Sequence, residues 1–93
     1  MAFSGITGQT GEIRVGGRVA ARLGYWNAQR VVAEDKWVIG AALVERNDLW
    51  LAGTGPFELR LDVGSQQWRW KPVDLAVDGN GATVTAYRRF ETV

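Results

Sequence analysis

The sequence predicts an all-β fold: a single small β-sandwich or barrel of six to eight short, mostly antiparallel strands, with room for one short helix. Three observations predict it. Phe57, Leu59, Leu61 and Val63 alternate with Glu58, Arg60 and Asp62, the period-2 pattern of a strand with one buried face. Val73-Leu75-Val77 and Ala82-Val84-Ala86 alternate in the same way around Asp78-Gly79-Asn80-Gly81, whose Gly and Asn tolerate the positive φ of a tight turn. Turn signals recur at roughly 10-residue spacing along the chain, as they do in sandwiches and small barrels.

Taken in order, residues 1–10 are polar, Gly-bearing and without period, and read as a flexible N-terminal arm or an extended edge segment. Residues 11–93 then form a single β domain. Glu12 to Leu23 reads as a hairpin in which a three-residue loop, Gly16-Gly17-Arg18, pairs Val15 with Val19 and Ile13 with Ala21. That register gives Arg14, Arg18 and Arg22 one parity, opposite the apolar face. Gly24 to Arg30 is a strand or a loop carrying Tyr25 and Trp26.

Residues 33–46 fit a strand through Trp37, Ile39, Ala41 and Leu43, and their Ala, Glu, Lys and Leu also fit a short helix. The β-branched and aromatic content of Val31, Val32, Trp37, Val38 and Ile39 favours the strand. Leu49 to Ala52 reads as a further short strand between the turns Asn47-Asp48 and Gly53 to Pro56. Phe57 to Val63, Gln66 to Val77 and Ala82 to Phe90 complete the set. Pairing Val77 with Ala82 sets Leu75 opposite Val84 and Val73 opposite Ala86, so Val73, Leu75, Val77, Val84, Phe57, Leu59 and Leu61 are expected in one core.

One segment breaks its own pattern. Trp68 and Trp70 share a parity that Val73, Leu75 and Val77 do not. A bulge at Lys71-Pro72 would return both rings to the core face, since Pro lacks an N–H and is confined to edges and bulges. A straight strand would leave Trp68 and Trp70 as an outward aromatic pair flanked by Arg69 and Lys71. The bulge is the expected solution, with Arg69 and Lys71 outward.

Composition narrows the chemistry. Ninety-three residues, 46% hydrophobic and 23% charged, are enough for one core and no second domain. Five Trp are more than so small a core hides easily, so one or more is expected at an interface or binding face. The chain has no Cys and no His, so Ser-His and Cys-His nucleophilic pairs cannot be built and zinc and copper lose their usual ligands. The acids do not follow calcium-loop spacing, and the early glycines lack the helix start and Lys of a phosphate loop. A carboxylate pair could be drawn from Glu34, Asp35, Glu45, Asp48, Glu58 and Asp62, but these read first as solvated surface. The expectation is a non-enzymatic protein with no cofactor, metal or small-molecule substrate.

Charge is unevenly distributed. Residues 1–33 carry +3, and residues 34–63 carry −3. Nine of the eleven cations are Arg, the residue suited to planar, partly desolvated contacts. An Arg stripe on a strand reads as a solvated face, a polyanion-binding strip or a subunit contact. The subunit reading sets Arg14, Arg18 and Arg22 against an acidic patch drawn from Glu34, Asp35, Glu45 or Asp48. Trp68, Arg69 and Trp70 complete the candidate interface. The chain is not basic overall, which argues against nucleic acid. The N-terminus lacks a secretory pattern, and no apolar run approaches membrane-helix length.

The run Phe3-Ser4-Gly5, then Gly11-Glu12-Ile13-Arg14-Val15-Gly16-Gly17-Arg18-Val19-Ala20 and Trp26, resembles the opening of tail-tube and related tail proteins of tailed phages. Trp37 and Trp50 are loosely like the spaced Trp residues of that family. The likeness covers the first third to half of the chain, which is short for a tail-tube subunit. The resemblance implies a β-sandwich subunit of a virion, of tail-tube, adaptor, decoration or baseplate type, that self-associates and contacts other virion proteins. It would be made in the host cytoplasm and reside in the particle. The rival reading is a small β-barrel module that binds carbohydrate or single-stranded nucleic acid through its Trp residues.

Overall fold

The computed structural model describes residues 5–46, 56–87 and 90–93, and these are almost entirely strand. The strands are β1 (Gly5–Gly8), β2 (Gly11–Val15), β3 (Arg18–Val31), β4 (Lys36–Arg46), β5 (Phe57–Val63), β6 (Gln66–Asp78), β7 (Gly81–Tyr87) and β8 (Glu91–Thr92). Every pairing is antiparallel. Six strands close on themselves in the order β3-β2-β5-β6-β7-β4, with β4 returning to β3. The architecture is therefore a barrel, and closure removes most of the unpaired edge that a small open sheet would expose. The two remaining strands extend the wall: β1 continues the line of β2 along β3, and β8 continues the line of β7 along β6.

The C-terminal half matches the sequence reading closely. Val77 pairs with Ala82, Leu75 with Val84 and Val73 with Ala86, across a two-residue turn in which Gly79 takes φ +61°. Residues 33–46 resolve in favour of the strand: β4 starts at Lys36 after a 3-10 turn over Val32–Glu34, the one helical turn among the described residues. Asp35 closes that turn in the left-handed region, at φ 48°. Leu49 to Ala52 and Asp48 lie outside the described residues. At the start of the chain, Gly5–Gly8 takes the extended edge form and is a strand rather than part of a flexible arm, because its backbone pairs with Trp26 to Gln29.

The first hairpin needs a correction. Its turn has two residues, not three: Val15 pairs with Arg18, and Gly16 and Gly17 both hold positive φ, at 59° and 80°. A two-residue turn with both φ positive fits the strand twist, and Gly-Gly takes it without Cβ strain. Ile13 still pairs with Ala21, because β3 inserts one extra residue between the pairs Ile13–Ala21 and Arg14–Val19. That bulge breaks the expected parity. Arg14 and Arg22 lie on the outside of the wall, whereas Arg18, across from Val15, has the parity of the core side at the exposed end of the barrel.

The core fills the barrel interior with Ile13, Leu23, Trp26, Ile39, Leu59, Leu61, Trp70, Val73 and Val84, and with small residues such as Ala21, Ala28 and Ala86 where strands crowd. Burying each of the larger side chains contributes about 1.5–3 kcal/mol. Of the expected core, Phe57 and Leu75 are only half-buried, and Val77 is 43% exposed because β6 there runs toward its turn. Trp26 explains a glycine: its Nε1 donates to the Thr10 carbonyl at 2.8 Å, and a Cβ on Gly8 would stand 2.3 Å from its ring. β1 can therefore lie against the Trp26 ring only with Gly at that position.

Candidate functional site

The Trp segment follows the bulged solution. Phe57 pairs with Val73 and Leu59 with Trp70, so one residue of β5, Glu58, opposes two of β6, Lys71 and Pro72, and the bulge falls there. Trp70 is buried to 2% exposure, and Trp68 is half-buried. Both rings join Trp37 and Phe90 at one end of the barrel. Phe90 stacks on Trp68 with centroids 3.7 Å apart and planes 10° from parallel, and Trp37 meets Trp68 and Trp70 at 6.0 and 5.8 Å. The chain end is fastened over this cluster. Arg69 pairs with Glu91, Trp68 stands opposite Thr92, and the Val93 N–H donates to the Gln67 carbonyl at 2.9 Å. Trp70 thus has no face to offer a base or sugar without opening the core, and Phe90 occupies one face of Trp68. Trp50 lies outside the described residues.

A set of mutually paired charged side chains lies on one outer face, formed by β2, β5, the first half of β6, and β8. Cross-strand register sets Glu12 opposite Arg60 and Arg14 opposite Glu58. Along each strand the charges are also paired, Arg14 to Glu12 at 2.5 Å and Arg60 to Glu58. Arg14 donates in addition to the Gly17 carbonyl at 2.6 Å, which ties the strand to its turn. Gln67 donates to Asp62 at 3.0 Å. Glu58 is 8% exposed, the one buried charged residue among those described. A carboxylate this enclosed is tolerable because cations stand beside and across from it.

Arg22, Glu34, Asp35 and Glu45 also have neighbours of opposite charge. Arg22 stands across from Glu12 on one side and Glu45 on the other. Glu34 binds Lys36 at 2.8 Å, and Asp35 lies 3.9 Å from Arg30. The Glu34 hydrogen bond holds the Lys36 ammonium above its ordinary pKa, and Glu91 likewise raises that of Arg69. The structure therefore does not gather Arg14, Arg18 and Arg22 into one strip facing outward, nor Glu34, Asp35 and Glu45 into one patch. Among the described residues, no group of three acids is placed to hold a metal ion.

The opposite outer face has an uncharged centre among the described residues, with Asp74 beside Thr85 on β6 and Lys36 beside Tyr87 at its edges. Thr7, Asn27, Gly40 and Thr83 form one cross-strand row on β1, β3, β4 and β7, and Gln29, Val38 and Thr85 form the next. Ala42 and Ala76 extend the face, while Tyr25, Val44 and Tyr87 stand exposed at its margins at 56%, 72% and 53%. Tyr25 owes its position to a bulge, where Leu23 pairs with Leu43 and Trp26 with Ala41. The extra residue puts Tyr25 in phase with Asn27 and Gln29 while Trp26 and Ala28 keep the core. At the β1–β3 side of this face lies a cleft of about 300 Å3, lined by Gly5, Ile6, Thr7, Tyr25, Asn27, Ala28 and Gln29. The sequence reading did not single out Asn27, Gln29 or Thr7. The signal was present, in the alternation of Tyr25, Asn27 and Gln29 with Trp26 and Ala28. Comparison with family models, curated proteins and solved structures returned no match.

Proposed function

We propose that this chain is a non-enzymatic structural subunit of a tailed-phage particle and works by contacting copies of itself. The observation that carries the self-contact is the uncharged stretch from Val38 to Ala42 on β4 and from Thr83 to Thr85 on β7, bordered by Lys36 and Asp74. Val38, Gly40, Ala42, Thr83 and Thr85 are short, and none needs a counter-charge when water leaves. Sheet faces of this kind approach to about 10 Å, and the absence of charge lets two identical faces meet without like-charge repulsion. A standard contact takes about 800 Å2 from each partner. That is roughly one-seventh of the 5823 Å2 this chain exposes, within what one wall of the barrel offers.

The phage assignment rests on the likeness of the N-terminal hairpin region, Gly11 to Ala20 with Trp26, to tail-tube and related tail proteins. The contact differs from the one expected from charge segregation, because Arg14, Glu34, Asp35 and Arg69 have ion-pair partners within the chain. The test is the oligomeric state by light scattering over a concentration series reaching the high micromolar range, for the parent and for Thr83→Arg. Concentration-dependent assembly of the parent, lost in a folded Thr83→Arg, is expected. A parent that stays monomeric throughout overturns the self-contact.

A further inference from the structure

Among the described residues, a cluster of polar side chains on β1 and β3 is left out of the hydrogen bonding within the chain. On the charged wall, Arg14, Arg60, Gln67 and Arg69 each donate at least one hydrogen bond within the chain, although Arg14 Nε is buried without a partner among the described residues. In the β1–β3 cleft, the Thr7, Tyr25, Asn27 and Gln29 side chains make no hydrogen bond to the described residues. They nevertheless line one concavity, and Tyr25 is 56% exposed beside it.

We infer that this cleft is a binding site for a neutral carbohydrate. Each amide, on Asn27 and Gln29, offers a donor and an acceptor in one plane, the pattern that two adjacent sugar hydroxyls complement. The hydroxyls of Thr7 and Tyr25 donate or accept as the ligand requires. The Tyr25 ring supplies an apolar face for the C–H side of a pyranose, while its hydroxyl stays wet. Among the described residues, no charged one lines the cleft, so a phosphate or carboxylate would find no counter-charge from them, which favours a neutral sugar over a nucleotide or an acidic peptide. At about 300 Å3 the cleft is at the small end of ligand sites, which suits one or two sugar rings. The site is separate from the Trp68–Trp70 segment, whose rings are in the core. It also lies on β1 and β3, beside the β4–β7 wall proposed to meet a second copy, and does not depend on that contact.

The experiment is an amide-detected NMR titration of the Thr83→Arg chain, used because it removes the proposed self-contact. The probes are galactose, N-acetylglucosamine and maltose, with adenosine as a neutral, aromatic control. The expected result is saturable shifts of the Asn27 and Gln29 side-chain amides with at least one sugar. Tyr25→Ala, at an exposed position, should keep the parent melting temperature and weaken binding about tenfold, equivalent to about 1.4 kcal/mol. The inference is overturned if no sugar shifts these amides, if adenosine shifts them as strongly as any sugar, or if Tyr25→Ala binds as the parent does. Assembly of the parent without sugar binding overturns this inference alone, and sugar binding by a monomeric parent overturns only the self-contact.

Discussion

The two outer walls of the barrel are built from the same strand geometry and carry different side-chain chemistry. On the β2–β5–β6 wall, outward positions are charged and the charges answer one another: Glu12 with Arg14, Glu58 with Arg60, Arg69 with Glu91. At the centre of the β1–β3–β4–β7 wall, from Thr7 to Thr85, outward positions are Thr, Asn, Gln, Gly and Val, and the Asn27 and Gln29 amides have no partner among the described residues. A surface whose polar groups are already paired gains little from a new neighbour, since a partner must displace bonds of equal worth. A neutral surface with unused donors and acceptors loses less on desolvation and gains more. Under the proposed self-contact, exposed charge is a poor guide to where this barrel would meet a second copy.

The largest effect should come from breaking the paired wall where it is most enclosed. Glu58→Ala removes a carboxylate that is 8% exposed and strands Arg60, its partner, at 22% side-chain exposure. The expected loss is about 1–3 kcal/mol, read from urea unfolding. A loss within experimental error would mean that the enclosed pair is worth no more than a surface pair. On the neutral wall, Thr83→Ala should leave monomer stability within about 0.5 kcal/mol, as substitutions clear of caps, cores and networks do. A larger change would show that the wall is already engaged within the chain.

Salt sharpens the comparison further. Raising ionic strength should leave self-association through the neutral wall unchanged or strengthen it, because no charge pair is being screened. Sedimentation equilibrium at low and high salt measures this. Assembly that dissolves in salt would return the contact to Arg14, Arg18 and Arg22 and the acids of the middle third. The smallest effect concerns Lys36, whose folded-state pKa is raised by Glu34. A raised value adds stability that is fully present below the unfolded pKa of about 10.4 and is lost as pH rises through the folded value. The parent and Lys36→Met should therefore differ most in melting temperature at neutral pH and converge above pH about 10.5. A difference that persists unchanged into strong alkali would assign it to packing of the Lys36 stem.

Short-range pattern was enough to set the strands and much of their pairing. Phe57–Val63 is a strand because its apolar residues recur every second position, and Val73, Leu75 and Val77 meet Ala86, Val84 and Ala82 because one turn leaves no other register with a buried face. Pro72 announced its bulge by being unable to join a central ladder, and so the burial of Trp70 was legible as well. The bulges after Ile13 and Leu23 carry no Pro and no such announcement. Each shifts parity by one residue, which is why Arg18 left the expected stripe and why Tyr25 joined Asn27 and Gln29.

Closure of the sheet, and with it the identity of each wall, was settled only in three dimensions. β3 is long enough to pair with β1 and β2 along one edge and β4 along the other, and β4 reaches β7. Those pairings join residues far apart in the chain, such as Asn27, Gly40 and Thr83, into one row that no local pattern foretells. Along the chain, Glu12 and Arg60 belong to thirds of opposite net charge and suggest complementary patches. In the barrel they are cross-strand neighbours, because strand pairing places side chains about 5 Å apart however many residues separate them.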